Sequence, residues 1–240
     1  MDASWEEYGW ERLSNVAGRR RLPVWDATAA LVAGTEGALL YDTGSTLREG
    51  AELRTRAEGL LGRRVTHIAL SHPHFDHVLG TAVFAGAEVH GAVGTRELLG
   101  RCAEELRADA VRHGMTEHDA AVATDVLVAP RHEVSGERTL DLGGGLQVLL
   151  ANVGPGHSGH DLAVLVPGSP VVVLCGDLVE ESGEPQAGPD AVPARWPAAL
   201  DRLLALGGEE ALYVPGHGAV VDAAFVRAQR DRLAARFGVS

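Results

Sequence analysis

The sequence predicts an α+β fold in which two β-sheets pack face to face and helices cover their outer faces. A β-rich half with a helix at 47–61 is followed by a second β-rich half with a helix at 196–206. The chain has 240 residues, of which 45% are apolar, so it is long enough to bury a substantial core. Because each sheet has an apolar face to bury, this order indicates a sandwich in a single domain spanning residues 1–240.

In the first half, apolar runs between turn residues predict strands, and apolar residues spaced by three and four predict helices. The predicted strands are 28–32, 38–41, 65–70 and 88–90. The predicted helices are 47–61, 78–85 and 94–113. Residues 1–25 are interpreted as irregular, with the basic run 19–21 on a solvated surface. The segment 114–130 has no clear period and could cover the functional site.

The second half is again rich in strands. Its predicted strands are 140–142, 146–153, 171–174 and 211–214. The apolar stretch 162–175 is interrupted by two prolines and a glycine, which predicts a hairpin. The predicted helices are 196–206 and 223–237.

The composition disfavours several classes of protein. A formal net charge of −12 repels nucleic acid and anionic membranes, so neither is an expected partner. Two cysteines do not suggest a disulfide framework. The start of the sequence lacks the pattern of a signal peptide, and no apolar run approaches the roughly 20 residues of a membrane span. We therefore expect a cytoplasmic protein.

The chemistry is concentrated in a histidine-rich turn at 71–77, at the end of a predicted strand. His72 precedes a proline and is expected to be extended, which places His72 and His74 on one face. Asp76 and His77 then open a predicted helix, so two groups of side chains leave one turn in two directions. This layout favours two adjacent metal ions. The alternative interpretation makes Asp76 a helix cap and the histidines ordinary polar residues.

Four further positions share a feature with this turn. Each follows a predicted strand and lies beside glycine or proline: Asp42, His157, Asp177 and His217. Side chains at the ends of several strands can converge on one edge of a sandwich, where turn glycines allow close approach. Imidazole and carboxylate are ligands that suit zinc or iron.

Together these motifs resemble those of the metallo-β-lactamase superfamily of metallo-hydrolases. The resemblance runs from residue 28 to residue 217, and the motifs occur in the family's order. It implies a four-layer αβ/βα sandwich with two mixed β-sheets and helices outside. Within the family, the chain resembles the branch with binuclear sites that includes glyoxalase II and the lactonases.

The resemblance also implies two divalent metal ions. The ligands carried over for the first ion are His72, His74 and His157. Those for the second ion are Asp76, His77 and His217. Asp177 would bridge the two ions, and Asp42 would support the histidine ligands. Asp76, Asp177 and Asp42 are accordingly the expected catalytic residues. Zn²⁺ is the expected ion, with iron and manganese as alternatives.

The expected activity is metal-dependent hydrolysis. A hydroxide bridging the two ions would attack the carbonyl of an ester, thioester or lactone of a small metabolite. The alternative is a phosphodiesterase or nuclease type of metallo-hydrolase; a β-lactamase or a non-enzymatic metal-binding domain is disfavoured further. The expected partner is a small-molecule substrate. The oligomeric state is left open, with a homodimer as one alternative.

Three other side chains are interpreted as lying outside the set of metal ligands. Cys175 is interpreted as a buried thiol, His67 as a packed or supporting residue, and His160 as a surface residue rather than a ligand. The segment 180–195 holds three prolines and several acidic residues. It is expected to set substrate selectivity, to disfavour strongly anionic substrates, and to leave the metal content unaffected.

Overall fold

The computed structural model describes residues 4–239 and contains two mixed β-sheets, as the sequence predicts. Within these residues the first sheet has seven strands in chain order: β1 (Glu11–Arg12), β2 (Ala17–Arg21), β3 (Thr28–Ala33), β4 (Ala38–Tyr41), β5 (His67–Ala69), β6 (Glu88–Ala92) and β7 (His132–Val134). Strands β1 to β4 pair antiparallel, and β4 to β7 pair parallel. The C-terminal ends of β4 and β5 therefore lie at the same edge of this sheet.

In the described part of the chain, the second sheet has five strands: β8 (Glu137–Asp141), β9 (Gln147–Asn152), β10 (Leu162–Val166), β11 (Val172–Glu180) and β12 (Leu212–His217). They lie in the order β12-β11-β10-β9-β8, and β11 and β12 form the parallel pair. The antiparallel pair of β10 and β11 confirms the hairpin predicted at 162–175. Strand β11 extends beyond the predicted 171–174, and its pairing with β12 shifts register at Gly176.

Between residues 4 and 239 the chain forms seven α-helices: α1 (Leu47–Leu61), α2 (Phe75–Val78), α3 (Thr95–Arg101), α4 (Ala103–Arg112), α5 (Glu117–Asp125), α6 (Trp196–Gly207) and α7 (Ala223–Phe237). Short 3-10 helices are formed by Glu6–Tyr8, Thr81–Val83 and Pro193–Arg195.

The bounds of α1 and α7 agree with the predicted helices because both ends carry strong local signals. At the start of α1 the Thr46 side chain accepts a hydrogen bond from the Glu49 amide, and α1 ends at Gly62 in the left-handed conformation. At the start of α7 the Asp222 side chain accepts from the Phe225 amide.

Three of the predicted elements differ from the structure. The helix predicted at 78–85 begins earlier, as α2, and is followed by a 3-10 turn, so Asp76 and His77 lie inside a helix. The helix predicted at 94–113 is divided into α3 and α4 at Cys102, shortly after Gly100, a residue of low helix propensity. The segment 114–130 contains α5.

The N-terminal region is not irregular throughout, since it supplies strands β1 and β2. The prediction of a solvated basic run is wrong for Arg19, which is 3% exposed. The Arg19 guanidinium donates to the Gly218 carbonyl and pairs with Glu11 at 2.8 Å, so it joins the N-terminal hairpin to the segment after β12.

The apolar residues form the layers of a four-layer sandwich. One cluster packs the outer face of the first sheet against α1, α3, α4 and α5. A second cluster fills the space between the sheets, with Leu39 and Val32 of the first sheet packed among Leu150 and Leu174 of the second. A third cluster packs the second sheet against α6 and α7. Cys175 is buried in this third cluster, as expected, and the buried Trp196 packs there too. No helix within residues 4–239 is both long and apolar enough to cross a membrane.

Candidate metal centre

The seven side chains predicted as metal ligands meet at one edge of the sandwich. Their ligand atoms form two groups, and within each group these atoms lie within 4.8 Å of one another. The first group is His72, His74, His157 and Asp177. The second group is Asp76, His77 and His217. Four of the side chains lie in the segment after β5 of the first sheet, whereas His157 follows β9, Asp177 lies within β11 and His217 ends β12 of the second sheet. The cluster therefore forms where the two sheets meet.

The turn after β5 separates the two groups as the sequence predicts. His74 is extended, with φ −94° and ψ 153°, and it precedes the first residue of α2. Asp76 and His77 lie in the single turn of α2 and are directed to the second group. A change from extended to helical backbone at one residue therefore sends neighbouring side chains to different groups.

Asp177 lies between the groups and approaches histidines of both. Its Oδ2 atom is 3.4 Å from His157 Nε2 and 3.6 Å from His72 Nε2 in the first group. In the second group, Oδ2 is 3.3 Å from His217 Nε2 and Oδ1 is 3.2 Å from His77 Nε2. This position is consistent with the bridging role expected for Asp177.

Two glycines allow the chain to pack closely around Asp177. A Cβ atom at Gly216 would lie 1.8 Å from Asp177 Oδ1, so any side chain there would displace the carboxylate. Gly176 has φ +57°, and a Cβ atom there would lie 2.7 Å from the Ser71 Cβ. The glycine before each of two predicted ligands, Asp177 and His217, is therefore required by close approach of the strands.

The first group brings two imidazole nitrogens face to face. His74 Nδ1 lies 3.0 Å from His157 Nε2. The other nitrogen of each ring donates a hydrogen bond, from His74 Nε2 to Asp190 at 3.0 Å and from His157 Nδ1 to the Gln186 carbonyl at 3.1 Å. When both rings are neutral, the facing nitrogens are their lone-pair atoms, and a metal ion between them would accept both lone pairs.

The second group is arranged around the carboxylate of Asp76. Its Oδ2 atom is 3.4 Å from His217 Nε2 and 3.5 Å from His77 Nε2. His217 Nδ1 donates to the Trp25 carbonyl at 2.7 Å, which turns Nε2 toward the carboxylate. The second group therefore also presents imidazole Nε2 atoms to a shared centre.

The Asp42 carboxylate contacts the His77 ring of the second group on the side away from Asp76 and Asp177. Its Oδ2 atom accepts a hydrogen bond from His77 Nδ1 at 2.9 Å, and its Oδ1 atom accepts from the Ser71 amide at 2.7 Å. Asp42 has φ +60°, a left-handed conformation that is uncommon for residues other than glycine. Such strain is retained where the surrounding contacts fix the residue.

The electrostatics of the cluster favour neutral rings at His72 and His157 and positive charge in the second group. Burial opposes the charge of His74, but its hydrogen bond to Asp190 raises its pKa above the ordinary value. Burial lowers the pKa of His157 to about 4 and the pKa of His72 well below its ordinary value. Burial also opposes the charge of His217, yet Asp177 and Asp76 raise its pKa to about 11. The pKa of His77 is raised well above its ordinary value by the same carboxylates, which outweigh burial. The carboxylates thus require positive charge beside them.

Three buried ligand atoms without hydrogen-bond partners indicate that the cluster can hold divalent metal ions. Among the described residues, His72 Nε2, His77 Nε2 and Asp177 Oδ1 are buried and have no hydrogen-bond partner. Buried polar atoms of native proteins are nearly always paired. All three atoms point into the cluster, and imidazole nitrogen and carboxylate oxygen are ligands of zinc and related ions. A divalent ion in each group would satisfy them.

The cluster opens into a cavity of about 780 Å³. One wall is apolar and is formed by Trp25, Phe75, Leu98, Leu99 and Leu106. The loop after β11 also lines the cavity, through residues 182–184 and 186–190. Such a concave space beside convergent polar groups is the usual form of a small-molecule site.

Sequence reasoning missed three groups that orient the ligands: the Asp190 carboxylate and the carbonyls of Gln186 and Trp25. Asp190 lies in the segment expected to set selectivity, but no spacing in the sequence connects it with His74. Because this loop contacts two of the candidate ligands, we expect its replacement to change metal affinity, in contrast to the expectation that the metal content is unaffected. His160 lies apart from the cluster, since its Nδ1 bonds the Val93 carbonyl at 2.9 Å.

Known proteins resemble this chain in sequence and in fold. A family model described as the metallo-beta-lactamase superfamily matches residues 22–217. Metallo-beta-lactamase domain-containing protein 1 of Xenopus laevis is 27% identical over 161 residues, which are 66% of this chain and 57% of that protein. The aligned region thus spans little more than half the length of this curated relative.

Solved structures show the same architecture. A metallo-beta-lactamase from Pontibacter korlensis aligns with a TM-score of 0.71 and 21% identity, over 92% of this chain and 98% of that one. The metallo-beta-lactamase FIM-1 from Pseudomonas aeruginosa, in its mono-zinc form, aligns with a TM-score of 0.69 and 17% identity, over 96% of each chain. At these identities the likeness concerns the fold. The family match, by contrast, contains the whole cluster from Asp42 to His217, and the chain belongs to the metallo-beta-lactamase superfamily.

Proposed function

We propose that the protein is a binuclear metal-dependent hydrolase that cleaves an ester, thioester or lactone of a small metabolite. The observation that carries this proposal is the position of Asp177, whose two carboxylate oxygens approach histidines of both groups. A carboxylate in that position suits two adjacent ions, for which Zn²⁺ is the expected metal. Divalent ions held there would supply an ionised water near neutral pH and polarise the carbonyl.

The chain's own residues would prepare the site for that chemistry. Asp42 holds the proton of His77 on Nδ1, which leaves Nε2 as the ligand atom. The Trp25 carbonyl does the same for His217, and the Gln186 carbonyl for His157. Asp76 and Asp177 are 8% and 9% exposed, so their carboxylates form the floor of the cavity and offset the charge of two ions.

The cavity favours a neutral substrate with an apolar part. The aromatic side chains of Trp25 and Phe75 pack edge to face with ring centroids 5.2 Å apart, and both line the wall beside the cluster. Glu105 and Glu184 line the cavity, and the cationic Arg112 there pairs with Asp109. An acyl group can lie on the apolar wall, whereas a phosphodiester or a polynucleotide would meet repulsion from the carboxylates.

The proposal is tested with zinc-reconstituted protein and a panel of substrates. The panel contains aryl esters and lactones of increasing acyl length, a thioester, and bis(p-nitrophenyl) phosphate. We expect the carbonyl substrates to be hydrolysed, the rate to rise with acyl length until the cavity is filled, and a chelator to abolish it. Faster cleavage of the phosphodiester than of every carbonyl substrate would contradict the proposal. A matched control is His118→Ala, an exposed histidine of α5, which should keep full activity.

A further inference from the structure

A second cluster of imidazoles lies at the other end of the first sheet. His67 of β5, Glu88 and His90 of β6, and His132 of β7 are neighbours in the paired register of these strands. We call these four side chains the histidine ladder. Each is an even number of residues from a side chain that packs between the two sheets, so all four face the inter-sheet space.

The histidine ladder is separate from the metal centre described above. Its side chains stand at or near the first residues of parallel strands, whereas the metal centre follows their last residues. His67 is the first residue of β5, whereas His72 lies three residues beyond its last residue, Ala69.

Two nitrogens of the ladder already have the separation of metal ligands. His67 Nδ1 lies 3.4 Å from His90 Nε2. Two nitrogens bound to one tetrahedral ion at about 2.0–2.1 Å are about 3.3 Å apart. His90 is 1% exposed, and within residues 4–239 its Nδ1 has no hydrogen-bond partner.

The third imidazole has a partner typical of a metal-bound histidine. His132 Nε2 donates to Glu88 Oε2 at 2.6 Å, and its ring stacks on His90 with centroids 4.8 Å apart. A carboxylate on the outer nitrogen orients a ligating imidazole and strengthens it as a ligand. The side chains of His132 and Glu88 are 30% and 45% exposed, so this side of the ladder is open to an ion and free to turn.

The surroundings keep the inner imidazoles neutral, as ligation requires. Burial, together with the charges of His132, His67 and Arg138, lowers the pKa of His90 to about 3. Burial also lowers the pKa of His67. Arg138 of the neighbouring sheet is the cation whose charge opposes a metal ion here.

We propose that the histidine ladder is a further metal site that binds an imidazole-preferring divalent ion, such as zinc or copper(II). His67 and His90 supply two nitrogens that face each other, and His132 turns to supply the third while Glu88 holds its other nitrogen. An ion in this site joins β5, β6 and β7. Because it binds the folded state, it stabilises this part of the sheet.

The test adds one equivalent of copper(II) to protein whose metal centre is saturated with zinc. Electron paramagnetic resonance should show nitrogen coupling to copper in the wild type. In His67→Ala and in His132→Ala the copper affinity should fall at least roughly 10-fold. The hydrolytic activity of both variants should be unchanged, and the exposed His118→Ala should bind copper like the wild type.

Equal copper affinity in His67→Ala and the wild type would overturn the inference. Copper bound with wild-type affinity by the His67→Ala and His132→Ala double variant would also overturn it, because copper would then occupy the metal centre. His67 and His132 are partly exposed and are preferred to the buried His90, whose replacement could prevent folding. Arg138→Gln gives an independent measurement, since removing the opposing charge should tighten copper binding; an unchanged affinity would count against the site.

Discussion

The Asp42 carboxylate lies 2.9 Å from His77 Nδ1, and both side chains are almost fully buried. The same carboxylate accepts from the Ser71 amide, so one side chain holds both the start of the histidine-rich turn and a ring within it. This contact fixes the His77 ring and leaves its Nε2 atom facing Asp177 at 3.2 Å. The fold therefore positions this imidazole within the candidate metal centre.

Replacing Asp42 with asparagine should weaken metal binding without unfolding the chain. The amide side chain would keep the shape of the carboxylate but remove the charge that orients and strengthens the His77 imidazole. We expect metal affinity, measured by competition with a chromophoric chelator, to fall roughly 10- to 100-fold. Asp125→Asn, at an exposed position on α5, is the matched control and should bind as the wild type does. Equal affinities in the two variants would remove the supporting role of Asp42.

The loop after β9 offers a matched pair of histidines three residues apart. His157 belongs to the first group, whereas His160 bonds the Val93 carbonyl outside it. His157→Ala should lose one metal ion and reduce kcat/KM by at least roughly 100-fold, since a ligand is lost. His160→Ala should keep its metal content. Loss of metal from both variants to the same extent would show that the wrong histidine is assigned.

Replacing Asp190, in the loop after β11, should weaken metal binding. Because its carboxylate accepts from His74 Nε2, Asp190→Ala leaves that ring free to rotate. We expect metal affinity to fall roughly 10-fold, and Asp190→Asn, which keeps a hydrogen-bond acceptor, to restore part of it. Dissociation of the ion into excess chelator measures the effect. An alanine variant with the wild-type dissociation rate would limit the loop to substrate contacts.

Metal binding should release protons. Despite burial, Asp177 and neighbouring carboxylates raise the pKa of His217 to about 11 and the pKa of His77 well above its usual value, which favours cationic rings in the ion-free protein. Ligation needs neutral imidazole, and roughly two protons per centre should therefore leave. Apparent affinity should rise with pH from 6 to 8, because protons compete with the ion. Calorimetry in buffers of different ionisation enthalpy measures the release; an enthalpy that is the same in every buffer would contradict it.

The extent to which the sequence predicts the fold depends on the strength of local signals. Helix α7 is predicted at its observed bounds, because Asp222 and Gly238 mark its ends. Strand β2 is missed, because its arginines give no apolar run and its burial depends on the distant Gly218 carbonyl. Element α5 is missed for a similar reason, since only three of its residues, Ala120, Ala123 and Thr124, are buried.

The candidate site also has a part that the sequence predicts and a part that it does not. The resemblance to the family implies the seven ligand positions, and the structure brings their side chains into one cluster. The groups that orient them could not be predicted from the sequence, since Trp25 and Gln186 act through backbone carbonyls and Asp190 is 116 positions from its partner His74. Carbonyl groups occur at every residue and carry no sequence signal.

The central claim is that Asp177 joins two metal ions in one centre, and the number of bound ions tests it most directly. Elemental analysis should be made on the His67→Ala and His132→Ala double variant after zinc reconstitution and dialysis, so that the histidine ladder does not contribute. We expect about two zinc ions per chain, one for each group of ligands, and a lower content when Asp177 is also replaced by asparagine. A content that stays at one ion per chain under saturating zinc would contradict the binuclear centre.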